Sequence, residues 1–124
     1  MNNLKIAASK DTLGIDCDIN TGQINIDGNS YPMDPAEFFS PVFSWLDQYI
    51  KEVSAEVILN LHVNYLNSSS TKSLFDLIDR LEEYHEGGGK AQINWYFKED
   101  DKDIHETGKE FQDDMELPFE LISY

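Results

Sequence analysis

Val57, Leu59, Leu61, Val63 and Tyr65 alternate with Asn60, His62 and Asn64, the two-residue period of a strand with one apolar and one polar face. The same texture returns at Ala91, Ile93, Trp95 and Phe97. Between the two, Leu74, Leu77, Ile78 and Leu81 recur at helical spacing and stop at Gly87-Gly88-Gly89, where a left-handed C-terminal residue meets no steric cost. Upstream, Asp34-Pro35-Ala36-Glu37 reads as a helix start, with an N-capping aspartate and a proline at the first helical position. Phe38, Val42, Trp45, Leu46, Tyr49 and Ile50 continue that helix, and Pro41 is expected to kink it. Ile104, Gly108, Phe111 and Met115 form a third helical stripe behind Asp100-Asp101, and Leu117 to Ile122 closes as a strand. The first thirty residues alternate weakly: Leu4 to Ala8 is a short strand, and Leu13 to Ile19 pairs as a hairpin with Gln23 to Ile26 around Asn20-Thr21-Gly22.

Three N-terminal strands thus precede helix, strand, helix, strand, helix, strand. Strands separated by helices need crossover connections, so the second half pairs in parallel with helices on the sheet. The polar positions of strand 57–65 favour one solvated face. The predicted fold is α/β: a mixed sheet with an N-terminal hairpin followed by αβαβαβ, its helices mainly on one face. At 124 residues the chain is expected to form a single domain, 1–124.

Charge narrows the partners. Twenty-four Asp and Glu against nine Lys and Arg give −15, and such a surface repels both nucleic-acid phosphates and anionic lipid. Neither nucleic acid nor membrane is an expected partner. The single cysteine, Cys17, lies between Asp16 and Asp18 and reads as a reduced, unreactive residue. Met1 to Lys10 lacks the pattern of a signal peptide and no run of apolar residues could span a bilayer, so a cytoplasmic location is expected.

In an open α/β sheet, chemistry gathers in the loops that leave parallel strands and enter helices, because free N–H groups point outward there. Here that loop is Asn67-Ser68-Ser69-Ser70-Thr71-Lys72. In its bland reading one hydroxyl is an N-cap and the others are tolerated turn residues. In its functional reading one hydroxyl accepts phosphate, whose charge of roughly −1.5 to −2 meets the positive end of the helix dipole. Tyr31 and Pro32, Asn67 to Ser70, and Lys98 to Asp101, including Asp100, all follow strands. They are expected to share one edge and to form a partner-binding surface.

Tyr31-Pro32, the helix with Trp45, Tyr65-Leu66-Asn67-Ser68-Ser69-Ser70-Thr71-Lys72, the helix carrying Leu81-Glu82-Glu83 and His85, and Gly87-Gly88 together resemble the SiaC-type regulatory phosphoproteins over nearly the whole chain. The Tyr-Leu-Asn-(Thr/Ser)-Ser-Ser-x-Lys segment is the most specific part. The resemblance implies a fold similar to the STAS domain of anti-sigma factor antagonists. It also implies a partner kinase and phosphatase acting on one hydroxyl, and an unphosphorylated form that binds and activates a diguanylate cyclase. The family's acceptor is a threonine, and the matching position holds Ser68, at the expected mouth of the helix. Asn67-Ser68-Ser69 also lines up with the Asp-Ser-Ser step of anti-sigma factor antagonists.

Other chemistries lack an anchor. Asp16-x-Asp18-x-Asn20 with Asp27 departs from the EF-hand pattern in its glycine, its last ligand and its strand flanks. His62, His85 and His105 are not at zinc-ligand spacing, and no cysteine joins them. No nucleophile elbow, Walker loop or dinucleotide fingerprint occurs. Neither a cofactor, a metal nor a catalytic residue is therefore expected. The reading is a non-enzymatic signalling switch phosphorylated on Ser68. The alternatives are an anti-sigma factor antagonist and a small enzyme with a loop serine nucleophile served by one of the three histidines.

Overall fold

The computed structural model describes residues 1–30 and 34–124. The strands are β1 (Leu4–Ile6), β2 (Gly14–Asp18), β3 (Gln23–Ser30), β4 (Val57–Leu66), β5 (Ala91–Phe97) and β6 (Phe119–Ser123). The helices are α1 (Pro35–Glu52), α2 (Ser68–Glu86) and α3 (Lys102–Asp113). The strands form one sheet in sequence order, antiparallel from β1 to β3 and parallel from β3 to β6. Each helix is the crossover of one parallel step, and all three steps run the same way. Right-handed crossovers therefore place α1, α2 and α3 on the same side.

Register explains why one face is dry. Leu4, Cys17, Ile24, Leu59, Ile93 and Phe119 form one row across all six strands, and Ile6, Ile15, Ile26, Leu61, Trp95 and Leu121 the next. The helices cover these rows with Phe39, Val42, Leu46, Leu74, Leu77, Ile78 and Leu81, all with no exposed surface. Each such side chain contributes about 1.5–3 kcal/mol by leaving water. The alternate row, Lys5, Asp16, Asn25, Asn60, Asn94 and Glu120, lies on the uncovered face.

Asp34 caps α1 by accepting the Glu37 N–H at 3.1 Å, and Pro35 follows at the first turn. Pro41 sits inside α1, exposed, and the helix continues through it to Glu52. The second hairpin strand is longer than its pattern suggests, reaching Ser30 rather than Ile26. Parallel pairing with β4 carries it on to the Ser30 and Leu66 pair, across a bulge at Gly28/Asn29 where Gly28 takes φ 109°. At the other end of the hairpin, Gly22 (φ 72°) leaves no room for a Cβ, which would strike the Glu56 carbonyl.

Candidate functional site

Leu66 ends β4 and Ser68 begins α2, so the turn between them lies at the carboxyl edge of the parallel strands. Asn67 is the N-cap: its side-chain oxygen accepts the Ser70 N–H at 2.8 Å, and its carbonyl accepts the Thr71 N–H at 2.9 Å. This corrects one expectation. The cap is the asparagine rather than a hydroxyl, and Ser68 is the first residue of the helix rather than a residue at its mouth: the Asn67 side chain accepts the N–H of the N3 residue, Ser70.

The four hydroxyls are thereby sorted. Ser68 and Ser69 are exposed, Ser70 is fully buried, and the Thr71 hydroxyl donates to the Asn67 carbonyl at 3.0 Å. The N–H groups of Ser68 and Ser69 occupy first-turn positions that have no acceptor within the helix. Lys72, exposed, stands four residues beyond Ser68, one helical turn away. An anion on Ser68 would find the helix dipole, free N–H groups and a cation within one turn.

Neighbouring strands bring further groups to this edge. Lys98 and Asp100 are exposed in the turn between β5 and α3, where the Lys98 carbonyl accepts the Asp101 N–H at 2.9 Å and Asp101 caps α3 through Ile104. The last residue joins them: the Tyr124 N–H donates to the Phe97 carbonyl at 3.0 Å, and its carbonyl accepts from Glu99. Asn67 to Ser70 and Lys98 to Asp101 therefore follow adjacent parallel strands on one edge, while Gly87 to Gly89 turn back at the other. Tyr31 and Pro32 lie outside the described residues.

The sequence pattern alone does not reveal what stands beside this edge on the uncovered face. Asn60 donates to Asn25 at 2.9 Å and accepts from Asn94 at 2.9 Å, and Gln92 donates to Asn94 at 2.8 Å, a ladder of amides across β3, β4 and β5. Next to it the His62 ring stacks on Tyr96 at 4.0 Å, with Tyr124 edge-on at 6.0 Å. A trough of about 790 Å³ runs past Asp27, His62, Asn64, Lys98 and Tyr124, so it opens toward the same edge. The available signal was the alternation of Asn60, His62 and Asn64, which marks a solvated face.

The three histidines are apart: His62 in its stack, His85 in the last turn of α2, and His105 stacked on Phe97 at 4.2 Å. Burial and the neighbouring Asp16 push the Cys17 thiol up to about 12, so it stays protonated near neutral pH. Among the described residues, Glu82, Glu86 and Glu116 are the acidic groups close enough to share a cation. Glu82, however, already accepts the Glu116 and Leu117 N–H groups at 3.0–3.1 Å, so its lone pairs serve the backbone.

No helix among the described residues is long and apolar enough to cross a membrane. The profile of the SiaC family regulatory phosphoproteins matches residues 6–124. An uncharacterized protein of Pseudomonas aeruginosa strain UCBPP-PA14 is 31% identical over 124 residues, covering all of this chain and 98% of that protein. The solved structure of SiaC of Pseudomonas aeruginosa superposes with a TM-score of 0.94 at 30% identity, covering 100% of both chains. Crystalline apo-SiaC of the same organism gives 0.92 at 32%, covering 98% of this chain and 99% of that one. SiaC in the crystal structure of the diguanylate cyclase SiaD in complex with its activator SiaC gives 0.94 at 30%, again covering 98% and 99%. With a family profile over nearly its whole length and relatives of the same fold at this identity, the chain belongs to the SiaC family of regulatory phosphoproteins.

Proposed function

We propose that this chain is a non-enzymatic cytoplasmic switch. A partner kinase phosphorylates Ser68 and a partner phosphatase removes the phosphate, and the unphosphorylated form binds and activates a diguanylate cyclase. The observation that carries the reading is the sorting of the hydroxyls: Ser68 is exposed at the start of α2 with free N–H groups and Lys72 around it, whereas Ser70 and Thr71 are withdrawn. The scattered histidines support a switch over a serine hydrolase, since such a nucleophile needs a base within hydrogen-bond reach. A relative of the same fold is an activator bound to its cyclase, and the effector surface is proposed to be the edge carrying Ser68, Lys98 and Asp100 and the trough beside it, with Tyr31 and Pro32, which lie outside the described residues, proposed as further contacts.

Intact mass of protein from its native cells, followed by peptide mapping across residues 66–73, tests the acceptor. The expected result is a single phosphate on Ser68. Phosphate on Ser70 or Thr71 while Ser68 is intact overturns the assignment. Cyclase activation measured with and without the phosphate tests the output.

A further inference from the structure

α1 and α2 pack side by side and leave between them a groove of about 770 Å³ facing away from the sheet. Its floor is apolar, made by the half-buried Phe43, Ile50 and Tyr84. The Tyr84 ring is held in place by its hydroxyl, which donates to the Ala55 carbonyl at 2.9 Å. Its walls are acidic. Asp76, Asp79 and Glu83 stand at spacings of three and four along α2, all exposed and all lining the same groove. Like charges so placed destabilise an isolated helix.

Among the described residues that line the groove, the one cation is already engaged. Arg80, the sole arginine of the chain, pairs with Asp47 across the groove and lies over the Phe43 ring at 4.6 Å. Among the described residues Asp76, Asp79 and Glu83 have no cation at ion-pair distance, and although Arg80 stands one turn from Asp76 and from Glu83, the groove keeps an excess of negative charge beside an apolar floor.

We propose that this groove is a docking site for a basic amphipathic helix of a partner protein. The helix would set its apolar stripe on Phe43, Ile50 and Tyr84 and its Lys or Arg residues against Asp76, Asp79 and Glu83. The stretch from Asp76 to Gly87 spans about 16 Å, or three helical turns. Charge excludes the other occupants: a second copy of this chain carries −15, and nucleic acid and anionic lipid are repelled for the same reason. The groove starts about 12 Å along α2 from Ser68. It therefore provides a contact independent of the Ser68 state and separate from the surface assigned to the effector above.

The test is a chemical-shift titration of the full isotope-labelled chain with a synthetic Leu/Lys amphipathic helix of about 14 residues, near physiological salt. Perturbations are expected at Phe43, Ile50, Asp76, Arg80, Glu83 and Tyr84, unchanged in Ser68→Asp. Asp76→Lys with Asp79→Lys is expected to weaken binding about tenfold or more. Asp76→Asn with Asp79→Asn provides a milder pair should the reversed charges disturb folding. Shifts spread evenly over the other acidic runs, Asp100 to Asp103 and Asp113 to Glu116, overturn the proposal, as does undiminished affinity in whichever pair folds.

Discussion

The side-chain oxygen of Asn67 accepts the Ser70 N–H at 2.8 Å, and this bond decides which hydroxyls of the loop face water. With the cap at Asn67, the helix begins at Ser68, its third residue turns inward, and the fourth returns its hydroxyl to the Asn67 carbonyl. Asn67→Ala is expected to cost about 1 kcal/mol, and Asn67→Asp to retain the cap. Thermal melts of the two variants check this; equal melting points would show that the cap contributes nothing.

A second tie joins α2 to the segment entering β6. Glu82, buried, accepts the N–H groups of Glu116 and Leu117. Removing it leaves donors without an acceptor in a partly or fully buried setting, so Glu82→Ala is expected to destabilise the fold by about 2–4 kcal/mol. Denaturant titration with an unchanged slope and a lowered midpoint is the expected result.

Much of this fold was legible because its periods are clean. The one-sided alternation of β4 and the N-cap at Asp34 survive in the structure almost residue for residue. Less legible was whatever depends on pairing between distant segments. The extension of β3 to Ser30 follows from its partner β4, and the amide ladder needs the register that aligns Asn25, Asn60 and Asn94. The segment around Ser68 was visible as a motif. That Asn67, rather than a serine, supplies the cap depends on where the helix begins, since asparagine and serine cap about equally well, and a run of four hydroxyls hides it.

The raised Cys17 thiol sets an alkaline limit. Between the ordinary value of 9.0 and about 12 the folded thiol keeps its proton while the unfolded one loses it. The unfolded state then binds fewer protons, so stability from this group is intact below pH 9 and falls as pH rises toward 12. Tyr49, also shifted upward by burial, acts in the same direction. Native protein at neutral pH is expected to resist thiol alkylation until denaturant is added. Rapid labelling of the folded chain would contradict the inert thiol, and Cys17→Ala is expected to lessen the alkaline loss.

Lys98→Ala and Tyr124→Ala alter the edge shared with Ser68 and are expected to weaken effector binding, whereas Lys90→Ala, at the opposite edge, is expected to leave it unchanged. Lys90 is a better control than Gly88, whose φ of 97° strains any side chain despite the open space around it. Binding titrations of the three variants decide; a loss confined to Lys90→Ala would place the surface on the wrong end.

Phosphate on Ser68 is expected to act on binding and on folding with opposite signs. For the helix it is favourable by a few tenths to about 1 kcal/mol, since it meets the dipole, and Lys72 stands one turn away. In a contact that buries Ser68 the same group must shed its water or meet partner carboxylates, and an unpaired buried charge costs several kcal/mol. The cost at the contact exceeds the gain in the helix, so phosphorylation is expected to release the effector without melting α2. Ser68→Asp is expected to stay folded and to bind the effector at least about tenfold more weakly, whereas Ser68→Ala stays folded and keeps its affinity. Melts and titrations on both variants separate the two effects. A Ser68→Asp chain that unfolds, or that binds as tightly as Ser68→Ala, refutes release by local charge.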